Sequence, residues 1–557
     1  MDLQTLKHRP KRLMCFIVSL LLLTIALPSF AEFREVMIPM RDGTKLATNI
    51  SIPDGQGPWP IILTRTPYNK DGRGARPEGR PQEQGQDFLD AGYVYVIQDV
   101  RGQFKSEGEY QAWVHDMNDG YDTIEWLTQQ PFSDGKVAVY GASATGITAN
   151  LAVMSLHPAI KAGYAIVAHG SAYHYSTYPN GAYLRAMVED WSAGRGVARP
   201  QVPRPIMRTI NEGDELRNMA NYYDKIKVPM LNKGGWYDIF LQGNIDNFMG
   251  LQYHGSKGAK GNQKLVLGAF GHGALKGDLQ YPKDAGQLRG DRREVTRFFD
   301  HWLKGKDTGF YDEPAIRYYV MGDAMSDAGD VPGNEWRTSD SWPPKSTSTP
   351  LYLSGNGKLA WEKSTIAGKQ SQYKHDPNNP IPSVGGNNLT IALGPMDQRE
   401  VSSRSDVLKF ETDVLDNPVE VIGNLSAKLY VSSSAEDTDF YVKLVDVYPN
   451  GYEALIMDQG TRLRFRDGVD KMLKAKPGEI YELDIDLWST GIIFNKGHKI
   501  AVHIQSSNFN RFDNHSNTWE PVLDFSKDAV VATNTIHHTD RHPSAVTLPI
   551  TKIYTKE

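Results

Sequence analysis

The sequence has almost no cysteine: Cys15 is the single one in 557 residues. It lies inside an apolar segment near the N-terminus, so a chain cleaved after that segment would contain no thiol, no disulfide and no cysteine-ligated metal. A lipoprotein signal places its cysteine directly after the apolar run, whereas Cys15 lies near its start. The cysteine content therefore excludes a disulfide framework and argues against lipidation.

Long runs of charge of one sign are also absent. The 61 Lys and Arg residues and the 66 Asp and Glu residues are intermixed, and the net charge is only −5. Such a pattern lacks the concentrated basic surface that attracts nucleic acids or anionic membranes. We therefore expect a small-molecule substrate and neither a nucleic-acid partner nor a membrane partner after export. A homo-oligomer is compatible with this composition.

One segment has the pattern of an export signal. A basic stretch at 7–12 precedes an apolar run at 13–28, and the small residues Ser29 and Ala31 come directly before Glu32. This order is typical of a cleaved signal peptide, and the apolar run is short for a membrane-spanning helix. We expect a mature protein that begins near Glu32 and is secreted or periplasmic. An uncleaved N-terminal anchor is the alternative.

The remaining chain is too long for one hydrophobic core, which predicts two or three domains. From Pro60 onward, short apolar β-rich runs alternate with helical stretches, as in a parallel sheet with crossover helices. After residue 304 the chain becomes rich in Pro, Ser, Thr and Gly, with short alternating strands that predict an all-β sandwich or jelly roll. The predicted units are a signal peptide at 1–31, an α/β domain at 32–168 and 228–306, a helical cap between them at 169–227 and a β-rich domain at 307–557.

A candidate nucleophile follows one of the predicted parallel strands. The strand runs into Gly141-Ala142-Ser143-Ala144-Thr145-Gly146 and then into a helix. This order is typical of a nucleophile elbow, where small neighbours permit a strained turn at the serine and the next amide faces the reacting carbonyl. Gly146 comes three positions after Ser143, where two is commoner. The pattern alone is weak, because turns rich in Gly and Ser are frequent.

Two further residues complete a candidate triad. An α/β-hydrolase presents serine, acid and histidine in that chain order, each after a strand, and Asp238 and His272 occupy such positions. His272 would take the proton of Ser143 during attack and return it to the leaving group, while Asp238 would fix the imidazole tautomer. Asp246 remains an alternative acid, although Asp238 lies closer to the end of its strand.

Several segments carry a family resemblance, and they occur in a fixed order. They are Thr66-Pro67-Tyr68-Asn69-Lys70, Asp99-Val100-Arg101-Gly102, the elbow, Gly234-Gly235-Trp236-Tyr237-Asp238, Gly271-His272-Gly273, Asp437-Thr438-Asp439-Phe440 and Ser506-Ser507-Asn508-Phe509. The sequence resembles the cocaine esterase and X-prolyl dipeptidyl peptidase superfamily of α/β-hydrolases, which is related to α-amino-acid ester hydrolases and glutaryl-cephalosporin acylases. The resemblance implies an α/β-hydrolase sheet with a helical cap, a C-terminal jelly roll, and no metal or cofactor.

The resemblance also implies an oxyanion hole. Tyr68 matches the tyrosine whose hydroxyl, in this family, acts together with the amide after the nucleophile, here that of Ala144. A phenol aimed at the developing oxyanion supplies a hydrogen bond that strengthens in the transition state. The family usually has tyrosine directly after the nucleophile, so Ala144 is a departure. It retains the backbone donor but would reshape the acyl pocket.

Two other clusters of polar residues are candidate sites. His537, His538 and His542 have ligand types that suit zinc, but no second cluster supports a metal site, and a loop is the preferred interpretation. Glu189 and Asp190 in the predicted cap are candidates for binding a substrate ammonium group. Neither matches the acidic clusters of related enzymes residue by residue.

Taken together, these features predict an exported serine hydrolase that cleaves a carboxylic ester, such as an aminoacyl or aryl ester, through an acyl-serine intermediate and without a cofactor. Three alternatives stay open at this point. One is an Xaa-Pro dipeptidyl peptidase, and another is an amide or β-lactam acylase. The third is a ligand-binding protein with a vestigial hydrolase site.

Overall fold

The computed structural model describes residues 32–72, 85–194, 208–286, 292–326, 331–363, 370–522 and 524–555. The predicted signal peptide, with Cys15, lies outside these ranges. Across the ranges that are described, the helices are all too short or too polar to cross a bilayer.

The first layer of the fold is a mixed sheet, with ten strands in the described part of the chain. These strands are β1 (Glu32–Pro39), β2 (Lys45–Ile52), β3 (Trp59–Thr66), β4 (Val94–Asp99), β5 (Ser133–Ala142), β6 (Ile160–Ile166), β7 (Met230–Tyr237), β8 (Lys264–Gly271), β9 (Ile316–Val320) and β10 (Glu335–Ser339). Their order in space is β1-β2-β4-β3-β5-β6-β7-β8-β9-β10. From β4 to β9 in this order neighbouring strands run parallel, as the sequence predicts.

Helices cover this sheet and connect its parallel strands. Those of the described residues before β10 are α1 (Gln86–Asp90), α2 (Asp116–Thr128), α3 (Ala144–Met154), α4 (Arg185–Ala193), α5 (Glu212–Leu216), α6 (Leu241–His254) and α7 (Arg292–Lys304). Two shorter helices, α8 (Arg399–Ser402) and α9 (Phe525–Asp528), lie in the C-terminal half. Parallel strands need crossovers of this kind, and the connections leave every strand of the parallel run ending at one edge of the sheet. That edge is where the predicted site residues belong.

The described residues between β6 and β7 include several short helices, in the segment where the sequence predicts a cap. It contains α4 and α5, a π-helix at Tyr173–Thr177 and 3₁₀ turns at Pro179–Gly181 and Met219–Tyr222. Ala186 and Met187 of α4 are buried, so the helix packs inward against the rest of the molecule.

The C-terminal half forms a second sheet, with eleven strands among the described residues. They are β11 (Thr347–Ser354), β12 (Lys358–Ala360), β13 (Gln370–His375), β14 (Leu408–Glu411), β15 (Val419–Ser433), β16 (Asp439–Val447), β17 (Glu453–Arg462), β18 (Tyr481–Phe494), β19 (Lys499–Gln505), β20 (Ala532–His537) and β21 (Ala545–Ile553). The long β15 pairs with β18, β20 and β21, all antiparallel. The C-terminal half is therefore β-rich, as predicted, whereas the jelly-roll arrangement stays a prediction.

The first sheet continues past residue 306, where the sequence predicts the start of the β-rich domain. β9 runs parallel to β8, and β10 pairs antiparallel with β9. The backbone of Met321 then bonds to that of Gly491 in β18, which joins the two sheets. One apolar core spans this junction and includes Trp236 from β7 together with Val421 from β15. The C-terminal half is thus packed directly against the strands that carry the site.

Candidate active site

Ser143 lies at a sharp turn between β5 and α3. Its φ of 58° and ψ of −129° are unusual for a residue with a side chain. Two glycines make this turn sterically feasible. A Cβ on Gly141 would lie 2.3 Å from the backbone of Thr145, and a Cβ on Gly146 would lie 2.7 Å from the Cβ of Ala168. The glycine three positions after the serine is therefore required by the packing of α3 on β6.

His272 and Asp238 meet Ser143 at the carboxyl edge of the first sheet. The Oγ of Ser143 lies 2.7 Å from Nε2 of His272, and Nδ1 of His272 lies 2.7 Å from Oδ2 of Asp238. A carboxylate only accepts hydrogen bonds, so Nδ1 donates to Asp238 and Nε2 accepts from the serine hydroxyl. The side chain of Asp238 is fully buried and that of His272 is 9% exposed. The three side chains form an unbroken series of hydrogen bonds.

Asp246, the alternative acid, makes other contacts. Its carboxylate accepts hydrogen bonds from the hydroxyl of Tyr175 at 2.5 Å and from Nε2 of Gln242 at 2.8 Å. Burial raises the pKa of Asp246 to about 6, although these two donors oppose the shift. Asp238, rather than Asp246, is the acid that bonds to His272.

The predicted oxyanion donors lie at neighbouring strand ends. Tyr68 follows β3, which pairs in parallel with β5, and Ala144 is the first residue of α3. The amide at this position has no partner within its own helix and carries the positive end of the helix dipole. The backbone N–H of Tyr68 donates to Oγ1 of Thr66 at 3.0 Å, which holds the tyrosine in its loop.

Two residues that support the site were missed by sequence reasoning. The amide of Phe240 donates to Oδ1 of Asp238 at 2.8 Å, and its ring packs edge-on against the imidazole of His272 with centroids 5.5 Å apart. Asn387, from the C-terminal half, donates through Nδ2 to the backbone oxygens of Trp236 and Asp238. The contact of Phe240 could have been predicted from the sequence, since this residue comes two positions after the acid. Asn387 carries no local signal, because its contact depends on the packing of the two halves.

A second histidine, also missed, lies behind this site. His169 is buried, packs edge-on against Phe240 with ring centroids 4.8 Å apart, and has no hydrogen-bond partner for either ring nitrogen among the described residues. Burial lowers the pKa of His169 to about 3, because the charged form would be desolvated.

We expect His169 to make the folded protein sensitive to acid. A histidine whose pKa is lower in the folded than in the unfolded state contributes stability fully above the unfolded pKa of about 6.5, and this contribution is lost as the pH falls toward 3. Between pH 6.5 and pH 5 the loss amounts to about 2 kcal/mol. Urea unfolding of His169→Leu should therefore show a free energy of unfolding that falls by about 2 kcal/mol less over this interval than in the unmodified protein. Equal pH slopes would contradict this assignment.

The two other candidate clusters have structural partners. Glu189 is buried and lies 3.3 Å from the guanidinium of Arg185, one turn earlier in α4. His537 bonds to the hydroxyl of Ser432, and His538 to that of Ser371. In the described ranges no group of three or more His, Cys, Asp or Glu side chains is placed to hold a metal ion.

Comparisons with known proteins cover nearly the whole chain. Residues 42–208 match the model of the X-Pro dipeptidyl-peptidase S15 family, and residues 308–547 match the C-terminal non-catalytic domain of X-Pro dipeptidyl-peptidases. Cocaine esterase from Rhodococcus sp. (strain MB1 Bresler) is 33% identical over an alignment of 587 positions, gaps included, that covers 94% of this chain and 99% of that protein.

Two solved structures are similar over the same extent. One is an aminopeptidase from a marine sediment archaeon, Thaumarchaeota archaeon, with a TM-score of 0.79 and 27% identity. The other is an α-amino acid ester hydrolase with a TM-score of 0.78 and 26% identity. Each comparison covers 94% of this chain and 97% of the other chain.

Proposed function

Because this chain belongs to the family of serine hydrolases that contains cocaine esterase and the X-Pro dipeptidyl peptidases, we propose that it hydrolyses a carboxylic ester through an acyl-enzyme intermediate on Ser143. The chain is a serine hydrolase by this relationship. The observation that best supports the finer assignment is the hydrogen-bonded series of Ser143, His272 and Asp238, with both distances at 2.7 Å.

The first half of the proposed reaction acylates the enzyme. The Oγ of Ser143 attacks the ester carbonyl while Nε2 of His272 takes the hydroxyl proton. Negative charge then develops on the carbonyl oxygen, and the amide of Ala144 and the hydroxyl of Tyr68 donate hydrogen bonds to it. The intermediate collapses when the bond to the alcohol oxygen breaks, and His272 returns its proton to that oxygen.

The second half releases the acid and restores the enzyme. His272, with Nε2 again free of its proton, takes a proton from a water molecule that attacks the acyl carbon. The bond to Oγ of Ser143 breaks, and the serine regains its proton from His272. Asp238 stays ionised throughout, holding Nδ1 as the donor and stabilising the positive charge that His272 carries in each step.

Ester hydrolysis is preferred because a peptide substrate makes a further demand on the site. An exopeptidase that releases Xaa-Pro dipeptides must bind a free ammonium group, which calls for a carboxylate that is open to the substrate. Glu189, one of the two acidic residues considered for this role, is buried and paired with Arg185.

A direct comparison of substrates tests this proposal. The mature protein is given a benzoyl ester, an aminoacyl ester and an Xaa-Pro anilide, and kcat/KM is measured for each. We expect the better of the two esters to be hydrolysed at least about tenfold faster than the anilide, a difference of about 1.4 kcal/mol in activation free energy. Faster hydrolysis of the anilide would identify a peptidase instead.

Export belongs to the same proposal. It is supported by the basic stretch at 7–12, the apolar run at 13–28 and the small residues Ser29 and Ala31. We expect the mature protein recovered from the periplasm or the medium to begin at Glu32. N-terminal sequencing tests this, and an intact Met1 in the exported protein would contradict it.

A further inference from the structure

The indole of Trp191 bonds to the tyrosine that the proposed reaction uses as an oxyanion donor. Nε1 of Trp191 lies 3.3 Å from the hydroxyl oxygen of Tyr68. An indole N–H donates and never accepts, so this contact occupies a lone pair of the phenol oxygen rather than its proton. The bond thereby restricts the rotation of the hydroxyl and directs its proton away from Trp191.

From this geometry we infer that Trp191 is a positioning residue for Tyr68. The inference rests on the proposed function, since it assigns a role to Trp191 only through the oxyanion hole. A hydroxyl that accepts one hydrogen bond becomes a stronger donor in the next, because the bonds polarise one another. Trp191 therefore orients the phenol toward the developing oxyanion and strengthens the bond that forms there in the transition state.

The indole is held in place by a second tryptophan. The rings of Trp191 and Trp113 are stacked, with centroids 5.5 Å apart and an angle of 24° between their planes. Trp113 lies in the segment before α2 and is itself buried. The stack fixes the plane of the indole and with it the direction of its N–H.

The C-terminal half holds the helix that carries Trp191. Arg185, in the first turn of α4, bonds to Oδ1 of Asn510, lies 3.8 Å from the carboxylate of Asp513 and stacks over the ring of Phe509. The backbone of Ala186 also donates to the oxygen of Arg511 at 3.2 Å. The position of Trp191 therefore depends on residues that are more than three hundred positions away in the sequence.

The partner loop is anchored in its own right. Lys70, two residues after Tyr68, is fully buried and donates through Nζ to Asn49 and Asp71, while its amide donates to Asp99 at 2.6 Å. With both the loop and α4 fixed, the contact between Trp191 and Tyr68 joins two rigid elements. Such a contact can set the direction of a hydroxyl to within the tolerance that catalysis requires.

A double-mutant cycle tests the inference. Trp191→Phe keeps an aromatic ring on Trp113 but removes the N–H donor, and Tyr68→Phe removes the hydroxyl. We expect Trp191→Phe to lower kcat for ester hydrolysis about 3- to 10-fold, the usual effect of one lost hydrogen bond, with KM within about twofold. Tyr68→Phe should lower kcat about 10²- to 10³-fold. In the Tyr68→Phe background, Trp191→Phe should change kcat by less than about twofold, because no hydroxyl remains to be oriented.

A matched control separates this effect from a general loss of packing. Trp126→Phe makes the same chemical change at another partly buried tryptophan of the same apolar core, on α2, and leaves both the stack and the bond to Tyr68 intact, so its fold change should be the same in both backgrounds. If Trp191→Phe disturbs folding, benzothienylalanine at position 191 preserves the shape of the indole without its N–H and should give the same loss of kcat.

The possible outcomes distinguish this inference from the proposed function. Equal fold changes for Trp191→Phe in both backgrounds, or no loss in the unmodified background, would overturn the positioning role while Ser143 remained essential. Full activity of Tyr68→Phe would overturn it together with the oxyanion role of Tyr68. Full activity of Ser143→Ala would instead refute the proposed function itself.

Discussion

Ester hydrolysis should fall about 10⁴-fold or more when Ser143 is replaced by alanine. The substitution removes the only atom that forms the covalent bond to the substrate in the proposed reaction. The turn at Ser143 has a positive φ of 58°, which an alanine tolerates about as well as a serine. The loss should therefore appear in kcat, with the melting temperature within a few degrees of that of the unmodified protein.

Ser155→Ala is a matched control for this experiment. Ser155 caps the opposite end of α3, and its hydroxyl donates to the backbone oxygen of Ala152. The control makes the same chemical change on the same helix, outside the proposed site, and should retain kcat within about twofold, as is usual for peripheral substitutions. An equal loss in both variants would indicate a disturbed helix rather than a missing nucleophile.

Replacing Asp238 with asparagine should lower kcat by about 10⁴-fold. An asparagine can keep its oxygen on the amide of Phe240, and its NH₂ group then faces Nδ1 of His272. Nδ1 would have to accept, so Nε2 would carry the proton and could no longer take one from Ser143. The substitution preserves the shape of the site and changes the tautomer of the histidine.

Asp246→Asn is the control that discriminates between the two acids considered from the sequence. Asp246 bonds to Tyr175 and Gln242 rather than to His272, so the variant should keep kcat within about threefold, in the range of ordinary substitutions. Steady-state kinetics on both variants measures the contrast directly. A large loss in Asp246→Asn with little change in Asp238→Asn would contradict the assignment of Asp238 as the catalytic acid.

The parallel sheet and the three site residues could be predicted from sequence because they follow local rules. Val137, Ala138 and Val139 form a continuous apolar run, as buried parallel strands do, and the small residues around Ser143 permit the turn that follows. Parallel strands end at one edge, so Asp238 and His272 could be expected near Ser143 without knowledge of the crossovers. Position in the sequence favours Asp238 over Asp246 as the acid, but the side-chain geometry was needed to decide between them.

The supporting residues could not be predicted, because their contacts join distant parts of the chain. Asn387 reaches the loop of Asp238 only through the packing of the two halves, and the bond from Trp191 to Tyr68 depends on how α4 lies over the sheet. The membership of β9 and β10 in the first sheet could not be predicted for a similar reason. β9 and β10 are short, and the sequence around them is rich in Pro and Ser, like that of the β-rich half. Their pairing with β8 is decided by tertiary contact rather than by local pattern.

The central claim is that Ser143 is the nucleophile of a serine hydrolase, and covalent labelling tests it most directly. The mature protein is treated with an organophosphorus ester that phosphorylates activated serines, and the labelled peptide is identified by mass spectrometry. We predict one label per chain, on Ser143, with activity lost in proportion to labelling and no label in Ser143→Ala. A label on another residue that accounts for the loss of activity, or full activity of a chain labelled at Ser143, would contradict the account.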